Sequence, residues 1–388
     1  MSEEIKAENY VKEEEEEEKL PENLLKEPYN YIRNFYEEMF PQVGNKVFSI
    51  LSLVPISLII PEIEAELKPI NRTLTMLWIA PPGSAKTVIS EEFEKITKNP
   101  ISSHKITPAR LIYEIKNKKN EGEDEMSLII SDTAVMFNDE IMIKIIESVV
   151  EEGTISWETM RTIKDKTLGG FGDNKKIRVA SYLSGTPSLI SDRKIRDGIL
   201  GRAFPLITYL TKEQHKEALE KKNSSIGRKF NGSSMHHIQK FYKELYDIQK
   251  GNGKIPKIEG FIISEEIKKE LGKYIINESV YLEKIFEMWG VPGFRIMEEG
   301  YIFLVTHAFL NIFNREIKNN KIVVNWDDLK IAKKLIKIEC YFSYRIYEAI
   351  AKIDIERIKT EEELRRYLYK HEKIPESTKV IMRGLVKK

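Results

Sequence analysis

Hydrophobic residues follow two spacings along this chain, and together they predict buried strands alternating with amphipathic helices. Mainly apolar runs at 74–79, 128–130 and 177–183 are typical of strands that are buried on both faces of a parallel sheet. After the first two runs, apolar residues recur every three or four positions over 88–96 and 141–149, as along one face of a helix. This alternation predicts an α/β fold built on a parallel sheet.

The same pattern divides the chain into five parts of different character. A run of six glutamates at 13–18, with few apolar residues around it, predicts a disordered tail. Helical spacing lies on both sides of the region in which strands and helices alternate. The predicted parts are the acidic tail at 1–28, an N-terminal helical segment at 29–68, the α/β domain at 69–211, an α-helical domain at 212–354 and a C-terminal helical tail at 355–388.

Composition narrows the class of protein. With 388 residues, 41% of them hydrophobic, the chain can bury more than one core. Its single cysteine, Cys340, cannot form an intrachain disulfide, and without a secretion signal we expect a cytoplasmic protein. The longest apolar run, 47–60, contains Pro55 and is too short to cross a bilayer, so we expect a buried helix and no membrane partner.

The segment after the first predicted strand carries the candidate chemistry. Its sequence, APPGSAKT at 80–87, is close to the phosphate-binding pattern G-x-x-x-x-G-K-[ST], with Ala80 and Ala85 in place of the outer glycines. In that pattern backbone N–H groups surround the phosphates, the Lys contacts the β- and γ-phosphates, and the hydroxyl binds Mg²⁺. The segment therefore predicts a site for ATP and Mg²⁺ formed by Pro82, Gly83, Ser84, Ala85, Lys86 and Thr87, with the Thr87 hydroxyl as a metal ligand. The alternative is an ordinary Pro-Gly turn before a surface helix.

A carboxylate at the end of another strand is needed to order Mg²⁺, and the chain offers two candidates. Asp132 directly follows the apolar run in MSLIISD. The second candidate is the pair Asp139-Glu140, whose alternative role is to stabilise the first turn of a helix capped by Asn138. We prefer Asp132 as the metal carboxylate, because the carboxyl ends of parallel strands converge on ligands. Glu140 or another acid would then orient water, since Thr133 stands where a catalytic Glu is expected.

A further segment, IIESVVEEGTIS at 145–156, extends these motifs into a family resemblance. It resembles the part of minichromosome maintenance (MCM) helicases that follows their metal-binding strand and leads into a hairpin. The spacing from Asp132 to Thr154 is similar as well, and the loop at 83–87 resembles the family's loop in having Ala before Lys. The resemblance covers about 74–210 and implies an AAA+ ATPase, with a P-loop nucleotide-binding domain and a C-terminal α-helical lid.

The resemblance also implies roles for individual residues. In SGTP at 184–187, Thr186 or Ser184 would position water where the family has an Asn before Pro. Arg202, in DGILGRAFPLITYL, matches the arginine finger that reaches the γ-phosphate of the neighbouring subunit. Arg295 resembles the sensor 2 arginine that contacts the γ-phosphate, and its alternative is a surface Arg that caps a helix. Together these roles imply a homo-oligomeric ring, which we expect to be a hexamer.

The polar insert at 156–178 would be the hairpin that projects into the central channel of such a ring. There, basic side chains would contact DNA phosphates with little sequence preference. The alternative is a solvated loop whose lysines contact only water. The predicted DNA-binding residues are Arg161, Lys164, Lys166, Lys175, Lys176 and Arg178.

These observations predict an ATP-dependent DNA helicase or translocase. We expect it to be a compact form, such as plasmids or viruses carry, without the N-terminal oligonucleotide-binding and zinc module of MCM proteins. Two alternatives stay open. One is an ATP-binding replication initiator or scaffold with little or no hydrolysis, which the replacement by Thr133 and the missing Asn favour. The other is a ring that remodels proteins, for which an aromatic pore loop is the expected mark.

Overall fold

The computed structural model of this chain contains an α/β unit, a mainly helical unit and a pair of C-terminal helices. It describes residues 19–41, 43–66, 68–103, 106–133, 139–155, 177–191, 199, 202–209, 213, 216, 219–220, 223, 233–286, 293–356 and 358–386. The glutamate run at 13–18 and most of the predicted hairpin therefore lie outside the described residues.

Several helices precede the first strand. They are α1 (Glu22–Lys26), α2 (Pro28–Met39), α3 (Asn45–Leu51) and α4 (Val54–Ile59). The predicted disordered tail at 1–28 extends too far along the chain, because α1 lies within this range and Leu24 is fully buried. The apolar run at 47–60 is buried as predicted, but it forms two helices instead of one. Pro55 explains the break, since its ring would clash with the carbonyl of Leu51 in a continuous helix.

The central sheet confirms the predicted α/β class with mainly parallel strands. Its strands are β1 (Thr75–Ile79), β2 (Pro100–Ser103), β3 (Glu125–Ile130), β4 (Thr154–Ile155), β5 (Ile177–Gly185) and β6 (Phe204–Ile207). They lie in the order β2-β3-β5-β1-β6 and pair in parallel, while the short β4 pairs antiparallel with β5. The connecting helices are α5 (Lys86–Ile96), α6 (Pro108–Asn120) and α7 (Glu140–Glu152). Nearly all residues of β1, β3 and β5 are buried, as their mainly apolar sequences predict.

The strand register brings the carboxyl ends of β1, β3 and β5 to one level. Gly185 at the end of β5 is opposite Ile79, and Leu183 is opposite Ile130. Asp132 follows the end of β3 by two residues, beyond the last residue that pairs with β5. The N–H of Ala80 donates to the Gly185 carbonyl at 3.0 Å, which holds the start of the next loop against β5.

The remaining described part of the chain is mainly helical. It contains α8 (Ser233–Lys250), α9 (Glu265–Phe286), α10 (Gly293–Leu310), α11 (Trp326–Glu356), α12 (Glu361–Lys370) and α13 (Glu376–Leu385). A small sheet in the order β7-β9-β8 joins β7 (Gly260–Ile262), β8 (Ile317–Lys318) and β9 (Lys321–Val323). The long α11 packs against α9 and α10, and the predicted C-terminal helical tail contains α12 and α13. None of the helices in the described ranges is long and apolar enough to cross a membrane.

Candidate functional site

The loop between β1 and α5 has the backbone shape of a tight turn that ends at a helix N-terminus. Gly83 has φ +81° and Ala85 has φ +61°, both in the left-handed region. An L-residue such as Ala85 pays about 1–2 kcal/mol for that conformation, and such strain is typical of functional loops. Because Ala85 is the N-cap of α5 and alanine has no capping oxygen, the first N–H groups of this helix are available to an anion.

Lys86 lies at the first position of α5 and turns back over this loop. Its Nζ donates to the carbonyl oxygens of Ala80 at 2.7 Å and Pro81 at 2.9 Å. Burial lowers the pKa of Lys86, and the negative charge of Asp132 raises it in part. The ammonium and the Asp132 carboxylate thus interact across the end of the sheet, although they come from different strand ends. Thr87 follows on the exposed first turn of α5.

Hydroxyl groups at the ends of β3 and β5 tie these two strands together beyond their last paired residues. The Thr133 Oγ1 donates to the Ser184 carbonyl at 3.0 Å, and the Ser184 Oγ donates to the Ser131 carbonyl at 2.8 Å. Ser184 is fully buried, so the expectation that its hydroxyl positions water is wrong. Thr186 is partly buried at the turn that follows, and its hydroxyl is 2.8 Å from the Ser188 Oγ.

The structure separates the two carboxylate candidates. Asp139 is the N-cap of α7, because its Oδ1 accepts from the N–H groups of Ile141 at 2.8 Å and Met142 at 3.3 Å. The predicted cap, Asn138, lies outside the described residues. Glu140 occupies the exposed first turn of α7, where its charge favours the helix. Asp132 is exposed two residues beyond the end of β3, where its negative charge acts on Lys86.

The assignment of Arg178 to DNA binding needs correction. Its guanidinium donates to the carbonyls of Ile60 at 2.8 Å and Ser57 at 3.3 Å, at the C-terminal end of α4. Burial lowers the pKa of this Arg, while the charges of Glu125 and Glu62 raise it in part. A positive group is favourable at a helix C-terminus, where the last carbonyls lack helical partners. Arg178 therefore joins α4 to β5, and the other five predicted DNA contacts lie outside the described residues.

Arg202 and Arg295 lie together at the amino ends of the strands, whereas Lys86 lies at their carboxyl ends. The Arg295 Nη2 donates to the carbonyl of Ala203 at 3.2 Å, just before β6, and Arg202 pairs with Glu151 at 3.6 Å. With Arg72, which precedes β1, both line a cavity of about 650 Å³ at the amino ends of the strands. Strands rise about 3.3 Å per residue, so β1 alone puts roughly 17 Å between the two edges. Arg295 therefore cannot contact a phosphate held by the loop of its own chain.

A buried pair of glutamates holds Arg295 in place. Its Nε and Nη2 both donate to the Glu299 Oε1 at 2.9 Å, and Glu339 lies 3.7 Å away. Burial raises the pKa of Glu299, but the charges of Arg295 and Arg72 and a hydrogen bond from Glu339 lower it on balance. Burial and the neighbouring Glu299 charge raise the pKa of Glu339 well above its ordinary value. The opposite directions of these shifts favour ionisation of Glu299 before that of Glu339.

Sequence reasoning missed Arg72, Glu299 and Glu339. A signal was present for the two glutamates, because each occupies a position on the apolar stripe of its helix. Glu299 follows the buried Ile296 by three residues on α10, and Glu339 follows the buried Leu335 by four residues on α11. A charged residue in such a stripe has to find a partner inside the protein. Arg72 lies in an irregular segment that offers no comparable pattern.

Comparisons with known proteins do not assign this chain to a family. A scan against protein-family models finds no match, and a search of curated proteins finds none either. The function has to be inferred from the residues and the geometry of the chain itself.

Proposed function

We propose that this chain is a P-loop ATPase that binds ATP with Mg²⁺ at residues 80–87. One observation supports this most strongly: the Lys86 ammonium, the N-terminus of α5 and the Asp132 carboxylate meet at the carboxyl edge of a parallel sheet. In parallel α/β folds, ligands bind in the crevice outside the carboxyl ends of the strands. A cation, N–H donors and an acid in one place match the chemistry of a magnesium nucleotide.

The residues at this edge fit the two parts of that ligand. The N–H groups at the start of α5 and the Lys86 Nζ would bind the phosphates, replacing the carbonyls that the ammonium contacts now. Thr87 and Asp132 would hold Mg²⁺. The described residues contain no group of three or more His, Cys, Asp or Glu side chains suited to a metal. Mg²⁺ sites of the proposed kind take one or two protein ligands together with the phosphates and water.

Hydrolysis would use residues from two subunits. ATP supplies the transferable phosphoryl group, and Glu140 or another acid would orient the attacking water, with Thr186 nearby. Arg202 lines the cavity at the amino ends of the strands, so as an arginine finger it would act on a nucleotide bound by a neighbouring copy, while Arg295 stays paired with Glu299. Such an arginine stabilises charge in the transition state. This placement supports a homo-oligomeric ring, which we propose to be a hexamer.

We propose DNA as the substrate of this motor, by analogy with the MCM helicases that the sequence resembles. The basic insert at 156–176, with Arg161, Lys164, Lys166, Lys175 and Lys176, carries that part of the proposal. It would follow the phosphate backbone with a strong dependence on salt. Movement of this insert with the state of the nucleotide would then drive translocation.

A second candidate function is an ATP-binding initiator or scaffold with little turnover. The hydrogen bond from Thr133 to the Ser184 carbonyl favours it, because the residue after Asp132 then ties two strands together instead of activating water. The buried Ser184 hydroxyl is likewise directed to Ser131. Both features leave nucleotide binding intact and remove groups that would speed hydrolysis.

The two candidates share one binding test and differ in a second test. Lys86→Ala should weaken the binding of a fluorescent ATP analogue with Mg²⁺ by about tenfold or more, because a charge-assisted phosphate contact is lost. Lys95→Ala is the matched control, since this lysine lies on the same helix and pairs with Glu92 at 2.7 Å. Equal affinity in the wild type and Lys86→Ala would refute the site. ATPase rates with and without DNA then separate a motor, which DNA stimulates, from a scaffold.

A further inference from the structure

The C-terminal helix α13 lies against the turn that follows β5, at the edge of the sheet that holds Lys86. It packs on the 3₁₀ helix Pro187–Ser191 and on α11. The backbones come close at Gly384, where an added Cβ atom would lie 2.3 Å from both the carbonyl carbon and the carbonyl oxygen of Pro187. Because no side chain fits at that distance, the two backbones approach as closely as glycine allows.

The ends of β1 and β3 enclose the same turn from the other side. An added Cβ atom at Gly185 would lie 2.7 Å from the Thr133 Oγ1, and the Gly185 carbonyl accepts from the N–H of Ala80 at 3.0 Å. Thr186, with its hydroxyl bonded to Ser188, therefore lies in a turn held between the strand ends and α13. A shift of α13 would be transmitted to Thr186 through backbone contacts.

Polar and apolar contacts fix α13 to α11. The Thr378 Oγ1 donates to the Glu348 Oε2 at 2.8 Å, and the hydroxyls of Tyr341 and Ser377 are 3.3 Å apart. Ile381 and Met382 are fully buried on the same helix. Helix α13 is thus a firmly packed element, and it is distant in sequence from the phosphate loop.

We propose that α13 positions Thr186 for ATP turnover and that Gly384 is the residue that permits this contact. This inference rests on the proposed ATPase function of the loop at 80–87. Helix α13 packs on the turn at 187–191, which lies outside the proposed phosphate loop at 80–87, so its displacement should alter turnover and leave nucleotide binding unchanged. A misplacement of about 1 Å near a reacting group can lower a rate by up to about 10²-fold.

The experiment compares two glycine-to-alanine substitutions in helices of the full-length chain. Gly384→Ala introduces the clash with Pro187, whereas Gly272→Ala in α9 meets nothing within 4 Å. We expect Gly384→Ala to lower kcat for ATP by about tenfold or more, with the Kd for the nucleotide within about twofold of the wild type. Gly272→Ala should leave both quantities unchanged. Hydrogen exchange of the 185–191 backbone should increase in Gly384→Ala only.

The outcomes separate the inference from the function on which it rests. If the wild type neither binds nor hydrolyses ATP, the proposed function fails, and hydrogen exchange alone then decides whether α13 braces the turn. If the wild type is active and Gly384→Ala has the same kcat and the same exchange, the inference is wrong. If Gly384→Ala loses nucleotide binding and thermal stability together, Gly384 has a merely structural role, and the inference is also overturned.

A second variant covers the case in which Gly384→Ala does not fold. Thr378→Val removes the hydrogen bond to Glu348 and adds no volume near Pro187. It should loosen α13 and lower kcat by a smaller factor, again without a change in nucleotide affinity. An unchanged kcat together with increased exchange at 185–191 would refute the link between this helix and turnover.

Discussion

The corrected role of Arg178 gives a direct test of the structure against the sequence pattern. The basic residues around the predicted hairpin suggest that Arg178 contacts DNA, whereas the structure joins its guanidinium to α4. We therefore expect Arg178→Met to lower the stability of the protein and to leave its affinity for DNA unchanged. Lys176→Met, two residues earlier, should do the opposite.

The size of the effect follows from the contacts that are lost. Hydrogen bonds to a charged group contribute about 1.5–3 kcal/mol each, and Arg178 donates two of them. Methionine removes the cost of burying the guanidinium charge, which offsets part of the loss. Two buried carbonyls without donors leave a net decrease of about 2–3 kcal/mol in the free energy of unfolding. For a domain of the size of the α/β domain at 69–211, that decrease in the free energy of unfolding corresponds to a decrease in Tm of roughly 5 °C or more.

Two measurements on the same three proteins decide the question. Urea unfolding, followed by circular dichroism, gives the change in stability for the wild type, Arg178→Met and Lys176→Met. Fluorescence anisotropy of a short DNA duplex gives the affinity at each salt concentration, and the slope of log affinity against log salt concentration follows from the series. Loss of one phosphate contact should reduce the slope by about 0.9, and we expect that only for Lys176→Met.

One result would contradict this reasoning. If Arg178→Met is as stable as the wild type and reduces the salt slope as Lys176→Met does, then Arg178 faces the nucleic acid and its contacts to α4 are not formed in solution. Arg178→Lys serves as a further control, because it keeps the charge but loses the fork that reaches two carbonyls. Its stability should lie between those of the wild type and Arg178→Met.

Three further predictions concern the candidate site and the buried acid pair. Arg202→Ala should bind ATP normally and lose turnover by about 10³-fold. Mixing it with Lys86→Ala subunits should restore some activity, because some interfaces then pair an intact loop with an intact Arg202. If both mutants assemble and their mixture stays inactive, a site shared between subunits is excluded. Asp132→Asn should abolish Mg²⁺-dependent turnover, whereas Asp139→Asn should only alter the cap of α7, at a cost of about 1 kcal/mol or less in thermal melts; the reverse pattern would move the metal site to Asp139. The pKa of Glu339 is raised in the folded protein, so this residue's contribution to stability is present below its ordinary pKa of 4.5 and is lost as pH rises toward its folded-state pKa. Glu339→Gln, which stays neutral, should therefore gain stability relative to the wild type with increasing pH. A stability difference that stays constant from about pH 5 to 8 would argue against the raised pKa of Glu339.

Local sequence pattern was sufficient for the elements that surround the candidate nucleotide site. The apolar run before Ala80, the Pro-Gly turn and the stripe of α5 are neighbours in sequence, so their spacing predicted a strand, a loop and a helix correctly. Asp132 was placed at a strand end for the same reason. Parallel pairing followed from the length and apolarity of the runs, because only strands covered on both faces bury every side chain.

Tertiary structure decided which partners the polar residues have. Arg178 belongs to a basic segment by sequence, yet the end of α4, more than a hundred residues earlier, supplies its acceptors. Arg295 begins α10 as predicted, but the strand order and Glu299 place it at the edge away from Lys86. Side-chain partners of this kind depend on how distant elements pack, and periodicity along one helix or strand carries no information about that.

The contact between α13 and the turn after β5 is the clearest case of this division. The sequence by itself predicted a helical tail at 355–388, and the structure places the amphipathic helix α13 at 376–385 within it. Nothing in the sequence identifies Pro187 as the neighbour of Gly384. The packing of α11 against both the sheet and α13 brings these two residues together, since close approach of two backbones is a property of the assembled core.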